Sequence, residues 1–306
     1  MEHGTKTVVY IAGYGRSGST LLERILGSHD AIVGSGEFAN LLDLLDNEDA
    51  FCSCGRPLQN CALWSDVIER SGVVVHDSAK LKAIQKRVEA LVALPNHISK
   101  QDKEMYREYA QGLCAIIFEK LPAEVSYVVD SSKTARQTFF RPIALSRIAS
   151  LNVKVIHLVR DGRGCMWSNL KGSNRRMEMG LAPHVPFAAL RTAVSWPLAN
   201  IAAHIFQAIH PRDDYCRIRY EDFVEDPART LTRLGDFLGI SFNGQIETLN
   251  SSGEIPLGHQ IAGNRLRSQK KVILKKDVEW KERLKLRHRL LFWLLNWPLA
   301  LWYRYR

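Results

Sequence analysis

Nothing in this sequence repeats, and no segment collapses to a few residue types, so repeat arrays and low-complexity tracts are excluded. Long hydrophobic runs are also missing. The longest uncharged stretch near the end, residues 290–303, falls short of the roughly 20 residues a membrane-spanning helix needs. A strand-like run starts within a few residues of Met1, leaving no room for a secretory signal, so a cytoplasmic location is expected. Acidic residues are scarce at one end only. From Arg265 to Arg306 there are thirteen Lys or Arg against three Asp or Glu, while the remainder carries twenty-nine of each sign. The net charge of +10 therefore belongs to the last 42 residues, which is not the pattern of a general nucleic-acid binder. An anionic small ligand or an anionic membrane surface is the expected partner, and no nucleic acid.

What is present is enough for one large α/β domain or two modest ones, since 46% of the 306 residues are hydrophobic. The chain is organised around residues 10–28. Val8 to Ala12 is short, β-branched and aromatic, as a buried strand is. Gly13, Gly15 and Gly18 break it into a loop, and Ser19-Thr20 opens a helix with Leu21, Leu22, Ile25 and Leu26 on its inner side. A strand, a glycine loop and a helix N-terminus aim several N–H groups at one point, where an anion can sit. The spacing is that of a P-loop, but Ser19 replaces the usual lysine and a cation appears at Arg16 instead.

Ala31 to Val33 predicts a second strand, followed by Gly36-Glu37 and a helix carrying Leu41, Leu42, Leu44 and Leu45. Glu37 is either a reactive carboxylate at a strand tip or an acidic group favouring a helix dipole. Cys52, Cys54 and Cys61, with Trp64 just after, suggest a metal site or a redox pair. Zinc calls for four ligands and no second cysteine pair exists; His76 is a candidate fourth. Reduced thiols in a surface insertion, with no metal, are the expectation. Residues 79–121 predict two cover helices, the second from about Asp102 to Lys120. Ser126 to Val129 predicts a strand with Asp130 to Lys133 at its end, where Lys133 either enters the crevice or sits in a solvated turn. Val153 to Val159 is the clearest central strand, ending at Arg160, and Ser168 follows two turns into the next helix. Both can converge on one phosphate. A long helix is expected from Phe187 to His210, interrupted at Pro197, then a strand from Tyr215 to Tyr220 and a helix from Pro227 to Leu238. The loop from Gly258 to Arg267 suits either a clamp over an anion or an exposed basic loop.

Together these motifs resemble the sulfotransferase family, in its bacterial type, over about residues 5–285. Arg16, Ser17, Gly18, Ser19 and Thr20 resemble the family's 5′-phosphosulfate loop. Arg160 and Ser168 match the pair that holds the donor's 3′-phosphate. Arg219-Tyr220-Glu221-Asp222-Phe223 is similar to the segment after the fifth strand, and Gly263-Asn264-Arg265 to the late adenine and 3′-phosphate loop. The resemblance implies a single α/β domain with a central parallel sheet flanked by helices, with residues 51–64 as a cysteine-bearing insertion, 79–121 as a helical cover and 286–306 as a basic tail. It implies 3′-phosphoadenosine 5′-phosphosulfate (PAPS) as sulfuryl donor, a hydroxyl acceptor such as a glycan, glycolipid or other small molecule, and no metal. Cytosolic small-molecule members carry a histidine base where this chain has Ala135. Gly36-Glu37 resembles the glutamate site of tyrosylprotein-type and bacterial members, which makes Glu37 the implied base with Arg16 and Lys133 as its cationic partners. A P-loop kinase or NTPase, or a non-catalytic membrane-associated nucleotide-binding protein, are the alternatives. The tail, with arginines on both sides of a Trp-rich run, is either a helix in an anionic membrane interface or one packed on the protein's own core.

Overall fold

The computed structural model describes residues 6–45, 47, 50–71, 78–91, 97–133, 139–172, 187–263 and 265–306. Chain order runs β1 (Thr7–Ala12), α1 (Ser19–Leu26), β2 (Ile32–Gly36), α2 (Ser78–Leu91), α3 (Lys100–Lys120), β3 (Tyr127–Asp130), β4 (Val153–Val159), α4 (Gly162–Leu170), α5 (Ala188–Ile209), β5 (Tyr215–Arg219), α6 (Tyr220–Glu225), α7 (Pro227–Leu238) and α8 (Leu286–Trp302), with shorter helices between. The five strands form one sheet, ordered β2-β3-β1-β4-β5 and parallel throughout. Helices cover both faces, so the strands are apolar on both sides. Val8, Tyr10, Ala12, Val128 and Val155 face the cluster under α3. Val9, Ile11, Val129, Ile156 and Leu158 face the cluster of α1 and α7.

The parallel register aligns the strand ends. Tyr10 pairs with Asp130 and Ala12 with His157, so the segments leaving β1, β3 and β4 emerge along one sheet edge. Boundaries moved slightly from the sequence reading: β2 runs on to Gly36, and β3 begins at Tyr127 and includes Asp130. The helix expected around Leu41 is one turn only, Leu41–Leu44. The cover helix α3 starts earlier than Asp102, because Ser99 caps it by accepting from the Asp102 N–H at 3.0 Å.

The interruption expected at Pro197 is not there. Helix α5 passes through Pro197 without a break. Proline removes the bond that would satisfy the carbonyl four residues earlier. That carbonyl belongs to Ala193, and it accepts instead from Asn296 Nδ2 of α8 at 3.0 Å. The tail thus packs on the protein itself along Phe292, Asn296 and Ala300, with Phe292 and Tyr303 against Trp196. Gly162 is required beneath it, since a Cβ there would stand 2.2 Å from the Phe292 ring.

A buried polar network fixes the tip of β3. Arg141 Nε donates to Asp130 Oδ2 at 2.7 Å, and its Nη1 donates to Glu89, which also accepts from Tyr106 at 3.1 Å. Asp130 Oδ1 accepts from the Ser132 N–H at 2.9 Å and so shapes the turn that carries Lys133. Breaking a buried pair from one side leaves an uncompensated charge. Arg141→Met is therefore expected to cost roughly 3–5 kcal/mol, read as a lowered urea midpoint. A midpoint equal to the parent's contradicts this account of the turn.

Candidate active site

The loop between β1 and α1 is fixed by backbone conformations that its residues tolerate unequally. Gly18, at φ 91°, is the N-cap of α1, and a Cβ on it would lie 2.6 Å from the Tyr220 ring. Arg16 holds φ 68° without being glycine, a strained geometry of the kind functional loops retain. The first-turn N–H groups of an α-helix receive no partner from the helix itself. Those of α1 face the loop. Ser17 is buried, and its hydroxyl has no hydrogen-bond partner among the described residues.

Arg160, at the tip of β4, reaches across to this loop. Its Nη1 donates to the Arg16 carbonyl at 2.7 Å, its Nη2 to Asp277 at 2.7 Å, and its guanidinium lies 4.5 Å over the Tyr220 ring. Arg160 and Tyr220 therefore both pack against the loop that carries Arg16. Helix α4 packs on the same side chain, because a Cβ on Gly164 would approach Arg160 Nε to 3.3 Å. Ser168 is one turn further along that helix, four residues on and on the same face.

At the ends of β2 and β3 stand Glu37 and Lys133. Glu37 is half-buried after β2, where its N–H donates to the Ile261 carbonyl at 2.9 Å and Oε2 accepts from Asn40 at 2.9 Å. Burial lifts its pKa above the ordinary carboxylate value, with Lys133, Arg267 and Arg16 pulling the other way. Lys133 is buried rather than in a solvated turn, and its ammonium has no hydrogen-bond partner among the described residues. Burial lowers its pKa to about 8, opposed by the carboxylates of Glu37 and Glu23.

At φ 83°, Gly263 lies where a Cβ would stand 3.6 Å from Thr20 Oγ1 and 3.8 Å from Glu37 Oε1. Gly263 therefore lies between the first turn of α1 and Glu37. Asn264 lies outside the described residues, and Arg265 begins a short 3₁₀ turn. Of the cysteine segment, Cys52 and Cys61 are buried, so it is not the surface insertion expected, and His259 packs against it. His76 lies outside the described residues.

Glu23 was missed from sequence. It is fully buried on the inner face of α1, accepting from the Gly36 N–H at 2.5 Å and from Ser131 Oγ at 2.6 Å. The available signal was a carboxylate set within the apolar stripe of Leu22, Ile25 and Leu26. Glu23 ties the ends of β2 and β3 to the phosphate-type loop, holding Glu37 and Lys133 in relation to it.

A glycine loop opening a helix, beside a strand-tip arginine, a buried lysine and a raised carboxylate, defines a P-loop-like α/β protein. The model described as the sulfotransferase family matches residues 9–244, and the chain belongs to that family. It is thus a transferase by family. Carbohydrate sulfotransferase 2 of Homo sapiens is 30% identical over 136 residues, which are 34% of this chain and 26% of that protein. The match spans about a quarter of that relative's length. Among solved structures, the sulfotransferase domain from the curacin biosynthetic pathway superposes with a TM-score of 0.54 at 20% identity, covering 99% of each chain. The sulfotransferase domain of the Synechococcus PCC 7002 olefin synthase gives 0.53 at 22% identity, covering 95% of each. At these identities the two structures establish the fold.

Burial pushes the Glu23 pKa up to about 8 despite its two hydrogen bonds. An acid whose folded pKa lies above its unfolded value stabilises the fold while protonated. That stability is full below pH 4.5 and is lost as pH rises to about 8. Glu23→Gln, which can still accept from Gly36, is expected to flatten the fall in urea-measured stability across that window. A slope unchanged by the substitution contradicts it.

Proposed function

We propose that this chain transfers a sulfuryl group from PAPS to a hydroxyl acceptor, with Glu37 as general base. The observation that supports the reading is that Arg160 bonds the Arg16–Thr20 loop while Glu37 interacts electrostatically with both Lys133 and Arg16. In this reading the N–H groups of Ser17, Gly18, Ser19 and Thr20 hold the 5′-phosphate of the donor. Arg160 and Ser168 take its 3′-phosphate, which replaces Asp277 as the anionic partner of the guanidinium. Tyr220 backs Arg160, and Gly263, Asn264 and Arg265 contribute the late loop of the donor site.

The acceptor oxygen attacks sulfur in line, and the bond from sulfur to the bridging oxygen of the 5′-phosphate breaks. 3′,5′-Phosphoadenosine (PAP) leaves with that bond's electron pair, and the acceptor proton passes to Glu37. Catalysis is then mostly positioning and charge stabilisation. A raised carboxylate pKa makes Glu37 a better base near neutrality. Lys133 and Arg16 neutralise charge growing on the bridging and sulfuryl oxygens, and the Lys133 ammonium and Ser17 hydroxyl, which have no hydrogen-bond partner among the described residues, suit that role. The carbohydrate named in the human relative favours a sugar hydroxyl among the acceptor classes.

The inner face of α8 is committed to the fold, but Leu290, Leu294, Trp297 and Leu301 form an exposed apolar face. Among the described residues no helix is long and apolar enough to cross a membrane. With its flanking arginines, this face is the surface by which we place the protein peripherally on an anionic membrane, on the cytoplasmic side.

Glu37→Gln is expected to abolish labelled-sulfate transfer while PAP affinity stays near the parent's; loss of PAP binding contradicts the base assignment. Arg160→Ala should weaken PAP binding by roughly tenfold to a hundredfold, as loss of a charge-assisted contact does. The kinase alternative predicts a larger thermal shift with ATP than with PAPS, and the present reading the reverse. Activity should rise with pH through the raised Glu37 value and decline as Lys133 loses its proton near pH 8. Lys133→Arg should move the alkaline limb upward, and a limb that stays in place counts against Lys133.

A further inference from the structure

The cysteine segment gains from the fold what its sequence lacks. His259, 198 residues from Cys61, brings Nδ1 to 3.2 Å from Cys61 Sγ and to 3.8 Å from Cys52 Sγ. Cys54 Sγ lies 3.9 Å from Cys61 Sγ. All four ligand atoms fall within 4.8 Å of one another. With Zn–S bonds of about 2.3 Å, a tetrahedral site has sulfur–sulfur edges of about 3.8 Å and slightly shorter sulfur–nitrogen edges. The cluster is already close to that shape. All three cysteines are free thiols, and the Cys54–Cys61 separation is nearly twice a disulfide bond.

The surroundings hold each ligand from behind. Gly55, at φ 87°, closes a tight turn after Cys54, with its N–H donating to the Cys52 carbonyl at 3.0 Å and the Cys52 N–H to the Arg56 carbonyl at 2.9 Å. Trp64 Nε1 donates to the His259 carbonyl at 2.5 Å. Ser53 brackets the histidine, its hydroxyl donating to Gly258 at 2.7 Å and accepting from the Gln260 N–H at 2.8 Å. Packing alone does not require three thiols and an imidazole nitrogen to point at one centre, or hydrogen bonds to fix the backbone on both sides of the histidine.

We propose that Cys52, Cys54, Cys61 and His259 bind one structural zinc ion. Three thiolates and one imidazole select zinc among common cations, and four protein ligands leave no open position for catalysis. Binding releases the thiol protons and couples metal to folding. The ion would staple the cysteine segment to the loop that continues through Ile261 and Gly263. Ile261 bonds Ser35 and Glu37 through its backbone, its N–H to the Ser35 carbonyl at 3.0 Å and its carbonyl to the Glu37 N–H at 2.9 Å. Zinc therefore buttresses the strand end that presents Glu37, as a positioning element and not a catalytic one.

The test is the metal content of the full chain purified without chelators from zinc-supplemented cells. One zinc per chain is expected, with cobalt substitution giving the intense thiolate charge-transfer and tetrahedral ligand-field bands of a sulfur-rich site. Cys61→Ser and His259→Ala should lose the zinc, whereas His76→Ala should keep it. Should the ligand variants fail to fold, titration of the parent with an organomercurial thiol reagent, read by a zinc-responsive dye, should release one zinc as three thiols react. A parent chain that carries no zinc, takes up neither zinc nor cobalt and shows the three thiols freely titratable or a Cys54–Cys61 disulfide would overturn the proposal, as would zinc retained in His259→Ala.

Discussion

The hydrogen bond from Arg160 to the Arg16 carbonyl is the constraint on which the placing of the glycine loop depends. It joins the tip of β4 to the glycine loop of β1 at 2.7 Å, across 144 residues of sequence. The parallel pairing of β1 with β4 and β3 makes the bond reachable, because it brings all three strand ends to the same edge. With the loop held there, the N-terminus of α1 and the Arg160 guanidinium lie at the edge of the sheet from which Lys133 also follows β3. Desolvation acts on two groups beside it: it raises the Glu37 carboxylate and lowers the Lys133 ammonium.

Support for the loop and the strand ends comes from buried polar groups outside them. Glu23 binds the ends of β2 and β3 to α1, and the Asp130–Arg141–Glu89 network shapes the turn before Lys133. A buried network of this kind is costly when incomplete, so it specifies one arrangement of the loop more than it adds stability. The C-terminal helix contributes in the same manner. Asn296 takes up the Ala193 carbonyl that Pro197 leaves without a donor, and Tyr305 donates to Glu221 at 2.7 Å.

The phosphate-type loop, the central strands and Arg160 were legible in the sequence because each rests on local pattern: an apolar run, glycines at fixed spacing, a cation at a strand end. What stayed hidden depends on contacts distant in the chain. An interruption at Pro197 follows from helix chemistry alone, and only a partner about a hundred residues later removes it. Glu23 reads as one charge on an amphipathic helix until β2 and β3 bury it. Cys52, Cys54 and Cys61 lack a fourth ligand in their own neighbourhood, and no spacing rule points to His259 on a glycine-rich loop. Long-range closure, not propensity, decided these cases.

The central claim, one crevice holding both charged ends of the donor beside a carboxylate base, is most directly met by a crystal structure of the complex with PAP and an acceptor sugar. The account predicts the 5′-phosphate on the N–H groups of Ser17 to Thr20, the 3′-phosphate on Arg160 and Ser168, and a hydroxyl of the sugar on Glu37. A nucleotide bound with its 3′-phosphate away from Arg160, or a sugar whose hydroxyls approach a different side chain, would contradict it.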